Sequence, residues 1–190
     1  MHLRPVPPAI VPTPSSDGRP AFRDIFRSEF SYVWNTLARL GIALADREDV
    51  AHDVFCRVYR HLAEYDPTRP LRPWLFGFAF RVASDFRRLA RHRVELVGLD
   101  VERAATHRGA DDQLISAEER KLVESALLMV PIERRAILML HEIDGESMPT
   151  IAAALEVPLN TAYSRLRLAR ADLASAVKKL QSEGSHHVRR

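Results

Sequence analysis

Apolar residues along the chain recur mostly three and four positions apart, the period of an α-helix with one buried face. Phe22, Ile25, Phe26, Phe30, Val33, Trp34, Leu37 and Leu40 share such a face. They predict a first helix from about Ala21, stopped by Gly41. Asp46-Arg47-Glu48-Asp49 opens a second helix. Asp46 is suited to cap its free amides, and Glu48 and Asp49 suit its positive end. Val50, Val54, Phe55, Val58, Tyr59 and Leu62 form the stripe of this helix, and Glu48, His52, Arg57 and Arg60 lie opposite. A proline-rich loop is expected at about 64–73. A third helix follows at about 74–91, with Pro73 in its first turn, where no amide is needed. Its stripe is Trp74, Leu75, Phe78, Val82, Phe86 and Leu89. Its other face and its end are basic, with Arg81, Arg87, Arg88, Arg91, His92 and Arg93.

Periodicity fades from about Val94 to Asp112, and a connection that long argues against one compact domain. Beyond it come a short helix ended by Pro131, another ended at Asp144-Gly145, and a third opened by a Ser147 cap. A last helix follows, with Asn160 as its expected cap, and runs to about Leu180. The expected fold is all-α. Two small helical domains, 21–94 and 114–180, are joined by a flexible linker at 95–113. The C-terminal domain is a helix-turn-helix, and 1–20 and 181–190 are expected to be tails. The N-terminal stretch carries Pro5, Pro7, Pro8, Pro12, Pro14 and Pro20 and lacks a signal-peptide layout.

Of 190 residues, 46% are hydrophobic and 28% charged, enough to build a core. The net charge of +3 is too modest to indicate nucleic acid by itself, so the placement of the basic residues decides. The single cysteine excludes an internal disulfide framework and a multi-cysteine zinc site. Cys56 lies in a periodic helix and is expected to be a small buried hydrophobe. No apolar run is long enough to span a membrane, and a reducing, cytoplasmic setting is the expectation. There is no glycine-rich phosphate loop and no nucleophile elbow. His141-Glu142 lacks the second histidine of a helical zinc site, and His186-His187 lies in an expected tail. The chain therefore reads as a non-enzyme, without metal or cofactor.

Three features bear on binding. In 147–170 a short Ala-rich helix, a tight turn and a longer helix form a helix-turn-helix. The longer helix carries Asn160, Thr161, Tyr163, Ser164, Arg165, Arg167 and Arg170, opposite Leu166, Ala169 and Leu173. Polar groups early in such a helix reach base edges in the major groove, and later arginines neutralise phosphates. The same pattern also fits a plain helical hairpin with a solvated basic face. The second feature is the Trp74 helix and its preceding loop, where rings interleave with arginines as in proteins that grip and unstack a strand. Phe78 and Phe86 fall on its core stripe. The third is the acidic helix, where Glu48, Asp49 and Asp53 are either solvated surface or a docking patch for a protein.

These modules, in this order, resemble the extracytoplasmic-function sigma factors of the sigma-70 family. The resemblance covers about 21–180. Asp46-Arg47-Glu48-Asp49-Val50-Ala51-His52-Asp53-Val54-Phe55 is similar to the family's polymerase-docking helix. Pro73-Trp74-Leu75 with Ala79, Asp85 and Arg88 is similar to its −10 helix. Leu128 to Pro131 with Arg134-Arg135-Ala136-Ile137-Leu138 resembles the start of its fourth region. Asp144-Gly145-Glu146-Ser147 with Ile151-Ala152, and Pro158 to Leu166 with Ala169-Arg170, resemble its −35-reading helix-turn-helix. The resemblance implies that Asp49, Val50, Asp53, Val54 and Phe55 bind core RNA polymerase. It implies that Tyr65, Asp66, Arg69, Trp74, Arg81, Asp85 and Arg88 handle −10 DNA. Asn160, Thr161, Tyr163, Ser164, Arg165, Arg167 and Leu168 would face −35 DNA. It also implies promoter DNA and core polymerase as partners, and an anti-sigma factor, often membrane-anchored, as regulator. Arg81, Asn160 and Tyr163 depart from the family pattern, which commonly has Asn, Gly and a basic residue there. The runner-up is a helix-turn-helix regulator that binds DNA without polymerase.

Overall fold

The structure is a computed structural model that describes residues 20–97 and 117–187, with side chains at 20–91 and 119–183. The expected linker beyond Val97 and nearly all of the expected N-terminal tail lie outside the described residues.

Among the described residues the chain is helical, without strands. α1 (Phe22–Arg39) and α2 (Arg47–His61) are followed by a 3-10 turn (Leu62–Glu64) and by α3 (Leu71–Val97). α4 (Ala117–Met129) and α5 (Ile132–Leu138) come next, α5 continuing into a π-turn at Met139–Ile143. α6 (Met148–Ala154) and α7 (Leu159–His187) complete the fold.

Each expected stripe supplies core residues. Ile25, Val33 and Leu37 of α1 meet Val50, Val54 and Val58 of α2 and Leu75, Ala79 and Val82 of α3. In the second module Ile137 and Leu140 meet Ile151 of α6 and Ala162, Leu166 and Ala169 of α7. The two modules are not separate bodies. Their buried residues form one continuous cluster, with α3 against α6 and α1 against α4.

α1 ends as predicted at Gly41, whose φ of +89° is cheap only for glycine. The last carbonyls of this end, left without helical partners, attract cations, because the helix dipole is negative there. Arg87 of α3 donates to Leu40 O at 3.0 Å, and Arg135 of α5 donates to Arg39 O at 3.2 Å.

Several expectations are corrected. Asp46 makes no side-chain cap on α2. The chain there is fastened by Arg47 instead, whose buried guanidinium donates to Ile42 O at 3.2 Å and lies 5.2 Å from the Trp34 ring centre. Cys56 is half-exposed, with its Sγ 3.5 Å from His52 Nε2, because it sits at the edge of the stripe. Phe26, Phe30, Tyr59 and Leu89 share the helical period of the core but are exposed among the described residues, where no element covers their ends of the stripe. α3 runs through 95–97, so the helix enters the expected linker. α7 begins at Leu159, which places Asn160 inside the helix rather than at its cap, and it continues past Leu180 to His187. Ser147 does cap α6, its Oγ accepting from Thr150 N at 3.3 Å.

Candidate nucleic-acid and polymerase interfaces

α2 turns Asp49 and Asp53 to solvent and buries Val50, Val54 and Phe55. Val50 and Val54 are thus core residues. From there they anchor the helix that carries the two carboxylates. Phe55 lies under a run of rings on α1. Its centroid is 4.8 Å from Phe26, 6.0 Å from Phe30 and 6.4 Å from Phe22. Phe30 stacks on Trp34 at 5.8 Å, and Tyr59 meets Phe22 at 5.1 Å. Phe26, Phe30 and Tyr59 are exposed by 41%, 37% and 65%, so this is an open aromatic strip on the module that also carries Asp49 and Asp53. Exposed apolar patches of this kind mark interaction surfaces. Sequence reading missed it, because helical period alone does not distinguish a covered stripe from an open one.

The loop before α3 is built around Tyr65, which is buried and donates its hydroxyl to Arg69 O at 2.6 Å. Burial, then the neighbouring Asp66, raises the pKa of that hydroxyl above the ordinary tyrosine range. The Tyr65 ring lies 4.9 Å from Trp74, which meets Phe78 edge-on at 4.9 Å. Asp66 Oδ1 accepts from Thr68 N at 3.0 Å and Thr68 Oγ1 at 2.7 Å, which fixes the turn, and Arg69 lies 3.4 Å from Asp66 Oδ2. Asp85 pairs with Arg57 at 3.4 Å and Arg88 at 3.6 Å. Arg81 lies over the Phe78 ring at 4.8 Å and donates to Glu156 Oε1 at 2.8 Å. Tyr65, Asp66, Arg69 and Trp74 line a cleft of about 450 Å³ whose far wall is Pro149, Thr150, Ala153 and Ala154 of α6. The structure thus brings the loop residues and Trp74 together, whereas Asp85 and Arg88 lie further along α3.

α6 and α7 form the expected helix-turn-helix. Glu156, with φ of +55°, closes the turn. Ala162, Leu166 and Ala169 are buried. On the other side Asn160, Tyr163, Ser164 and Arg167 are exposed, and Thr161, Arg165 and Leu168 are partly so. Ser164 Oγ donates to Thr161 O at 3.0 Å. Arg170 is not a free cation on this face. Its Nε and Nη2 both donate to Glu142 Oε1, at 2.9 and 2.6 Å, and hold that carboxyl below the usual carboxylate range. Arg134 and Asp172 make a second tie at 2.7 Å, so α7 is held to the module by ion pairs at its middle. Among the described residues no group of three His, Cys, Asp or Glu could hold a metal ion, and no helix is long and apolar enough to cross a membrane.

An acidic helix beside open rings, a loop-lined cleft and a basic helix-turn-helix thus lie on one helical chain, the class of architecture used by DNA-binding proteins. Comparison with known proteins agrees. Residues 25–93 match the family model for sigma-70 region 2, and residues 120–173 match that for sigma-70 region 4. The chain is 30% identical over 148 residues to the ECF RNA polymerase sigma factor SigL of Mycobacterium tuberculosis, covering 77% of this chain and 83% of that protein. It is 31% identical over 158 residues to RNA polymerase sigma factor CnrH of Cupriavidus metallidurans, covering 73% and 83%. The solved structure of CnrH with the cytosolic domain of CnrY superposes with a TM-score of 0.56 at 25% identity, covering 83% of this chain and 88% of that one. RpoE of Bartonella quintana, solved with the anti-sigma factor NepR, shares the fold with a TM-score of 0.65 at 21% identity, covering 83% and 96%. The chain belongs to the sigma-70 family, as a sigma factor of the extracytoplasmic-function type. It directs RNA polymerase to promoters and initiates transcription, and its family is one of non-catalytic initiation factors.

Proposed function

We propose that residues 21–94 dock on core polymerase and handle the −10 element, and that residues 114–180 read the −35 element. Asp49 and Asp53, with the aromatic strip around Phe55, are the docking face. Tyr65, Asp66, Arg69, Trp74, Arg81, Asp85 and Arg88 take the −10 strand, with the Tyr65–Trp74 cleft sized for an unstacked base. Asn160, Thr161, Tyr163, Ser164, Arg165, Arg167 and Leu168 face the −35 groove. The observation that carries this reading is α7. It leaves Asn160, Tyr163, Ser164 and Arg167 exposed and Thr161, Arg165 and Leu168 partly so, while Ala162, Leu166 and Ala169 fasten its back. The mechanism is differential binding. Contacts made only to a melted strand favour the open promoter over the closed one, as binding energy shifts any two-state equilibrium. Bond chemistry belongs to the polymerase, so this chain is not itself an enzyme, and it acts in the cytoplasm. CnrH and RpoE were solved with CnrY and the anti-sigma factor NepR. By extension, the acidic and aromatic surfaces here suit an anti-sigma partner.

Arg165 and Arg167 provide the test. Replacing both with alanine is expected to weaken binding to duplex promoter DNA by about 10–100-fold and to reduce the salt slope by about one to two. A fluorescence-anisotropy titration at several salt concentrations reads both. An unchanged affinity and slope would remove α7 from the DNA face.

A further inference from the structure

Phe22, Phe26, Phe30 and Trp34 follow one another four residues apart on α1. With Tyr59 of α2 they form a continuous ladder of rings. Successive centroids are 5.1 Å apart for Tyr59 and Phe22, 6.3 Å for Phe22 and Phe26, 5.4 Å for Phe26 and Phe30, and 5.8 Å for Phe30 and Trp34. Phe55 backs the ladder from the core, and Phe26, Phe30 and Tyr59 are exposed among the described residues. From Phe22 to Trp34 the ladder follows α1 for about 18 Å, at about 1.5 Å per residue. Its two ends differ. At the Trp34 end α2 begins, with Arg47 against the Trp34 ring and the next two residues, Glu48 and Asp49, exposed. At the Phe22 end the chain enters α1 through Ala21, which is extended.

The sequence that leads to Ala21 has the chemistry to cover such a ladder. Residues 5–14 carry no charge, and five of the ten, Pro5, Pro7, Pro8, Pro12 and Pro14, are proline. A stretch of that composition favours the polyproline II helix, with three residues per turn and about 3.1 Å per residue. At that period Pro5, Pro8, Val11 and Pro14 fall on one face. Proline-rich helices of this kind dock on aromatic surfaces, because they are already ordered and lose little entropy on binding. Ser15 to Pro20 join the segment to the start of α1. Six residues reach about 20 Å when extended, and Gly18 allows the chain to reverse over α1. A segment running back from Phe22 toward Trp34 carries Arg4 to the end where Glu48 and Asp49 are exposed, so the charges match.

We propose that residues 5–14 lie along this ladder as a polyproline II helix, with Pro5, Pro8, Val11 and Pro14 against the rings. The strip is then a proline-reading surface, and its occupant is the chain's own N-terminal segment. A short linker holds the segment at an effective concentration on the order of 1 mM, so an intrinsic affinity of ~0.1 mM gives about ten docked chains to one open. Core polymerase competes for the same rings and finds them free in about a tenth of the chains, which lowers its apparent affinity about tenfold. The docking of the segment stands on the ladder and the N-terminal sequence; the competition rests on the polymerase face assigned above.

The test uses the full chain with Cys56→Ser and spin labels at Ala9→Cys, off the proposed contact face, and Arg60→Cys, at an exposed position of α2. A single narrow label distance is expected. Pro8→Asp with Val11→Asp, which alters no residue of the described helices, should broaden it. Phe26→Ser with Tyr59→Ser should do the same while circular dichroism shows undiminished helix. A broad distance in the parent chain, or a narrow one retained in the aspartate variant, would overturn the docking. Labels carried on separate chains should show no such distance; if they do, a second copy occupies the strip and the proposal falls. Without labels, the aspartate variant should bind core polymerase about tenfold more tightly. A released segment with unchanged polymerase affinity would overturn the competition. A narrow distance that persists in the polymerase complex would uphold the docking and count against the aromatic strip as the polymerase face instead.

Discussion

Replacing Asp49 and Asp53 together by lysine is expected to weaken binding to core RNA polymerase by about 100-fold and to leave duplex binding by the helix-turn-helix unchanged. Both carboxylates are exposed on α2, while the neighbouring Val50 and Val54 are sealed in the core. The helix therefore presents charge, not aliphatic surface, at these positions. Opposed charge pairs in protein interfaces couple by about 1.5 kcal/mol or more each, so losing two amounts to about 3 kcal/mol, or about 100-fold. One competing effect has to be separated. Asp49 lies in the first turn of α2, where a lysine opposes the helix dipole and costs up to about 1 kcal/mol of helix stability. The Asp49→Asn, Asp53→Asn variant avoids most of that cost and should still lose polymerase affinity, by a smaller factor. Co-elution with core polymerase, alongside thermal melting of each variant, distinguishes docking loss from unfolding. Polymerase affinity unchanged in the folded lysine variant would exclude α2 as the docking helix and favour a regulator that binds DNA alone.

Arg135→Met is expected to destabilise the second module by about 3 kcal/mol and to loosen its hold on the first. Arg135 is 1% exposed, yet it pairs with carbonyls rather than with a carboxylate. It donates to Val130 O at 3.2 and 2.8 Å, to Leu128 O at 2.5 Å and to Arg39 O at 3.2 Å. Leu128 and Val130 lie at the C-terminal end of α4 and Arg39 at that of α1, where unpaired carbonyls collect. Burial pushes the guanidinium down to about 9, with Arg87 adding repulsion, and it is still charged at neutral pH. Two effects oppose each other in the variant. Methionine removes the cost of burying a charge, which favours stability. It also strands the buried Val130 carbonyl, at about 1–3 kcal/mol, and the partly buried Leu128 and Arg39 carbonyls, and this term is the larger because only one partner of each bond is removed. Lysine at 135 should recover part of the loss, since its point charge cannot span three acceptors as the planar fork does. Thermal or urea unfolding of the variants measures this, and an Arg135→Met protein as stable as the parent would remove Arg135 from the account.

Much of the helical scaffold is visible in the spacing of apolar residues. The stripes of α1, α2 and α3, the Gly41 stop, the Ser147 cap and the turn before α7 follow from local chemistry acting within one or two turns of helix. The polar face proposed as the site on α7 is legible for the same reason, because Ala162, Leu166 and Ala169 define the back of the helix. What local chemistry hides is contact across the chain. Tyr32 and Asp144 are 112 positions apart, and Arg135 and Arg39 are 96. Neither pair stands out along its own helix. Gly77 is a weak signal that could have been read, since a glycine inside a helical pattern needs a packing reason. The exposed rings of Phe26 and Phe30 obey the core period, and their openness depends on which neighbours the fold supplies. The missed caps at Asp46 and Asn160 are of another kind. Asp46 keeps the cap position of α2 but its side chain makes no cap bond, and α7 starts one residue before Asn160.

The central claim is that this chain programmes core polymerase at promoters. In vitro transcription from fragmented genomic DNA tests it most directly, with core polymerase alone and with added protein, and with 5′ ends mapped. The account predicts new, discrete start sites that share a −35 and a −10 sequence and that vanish with the Asp49→Lys, Asp53→Lys variant. A protein that binds DNA but yields no new start sites with core polymerase would contradict it.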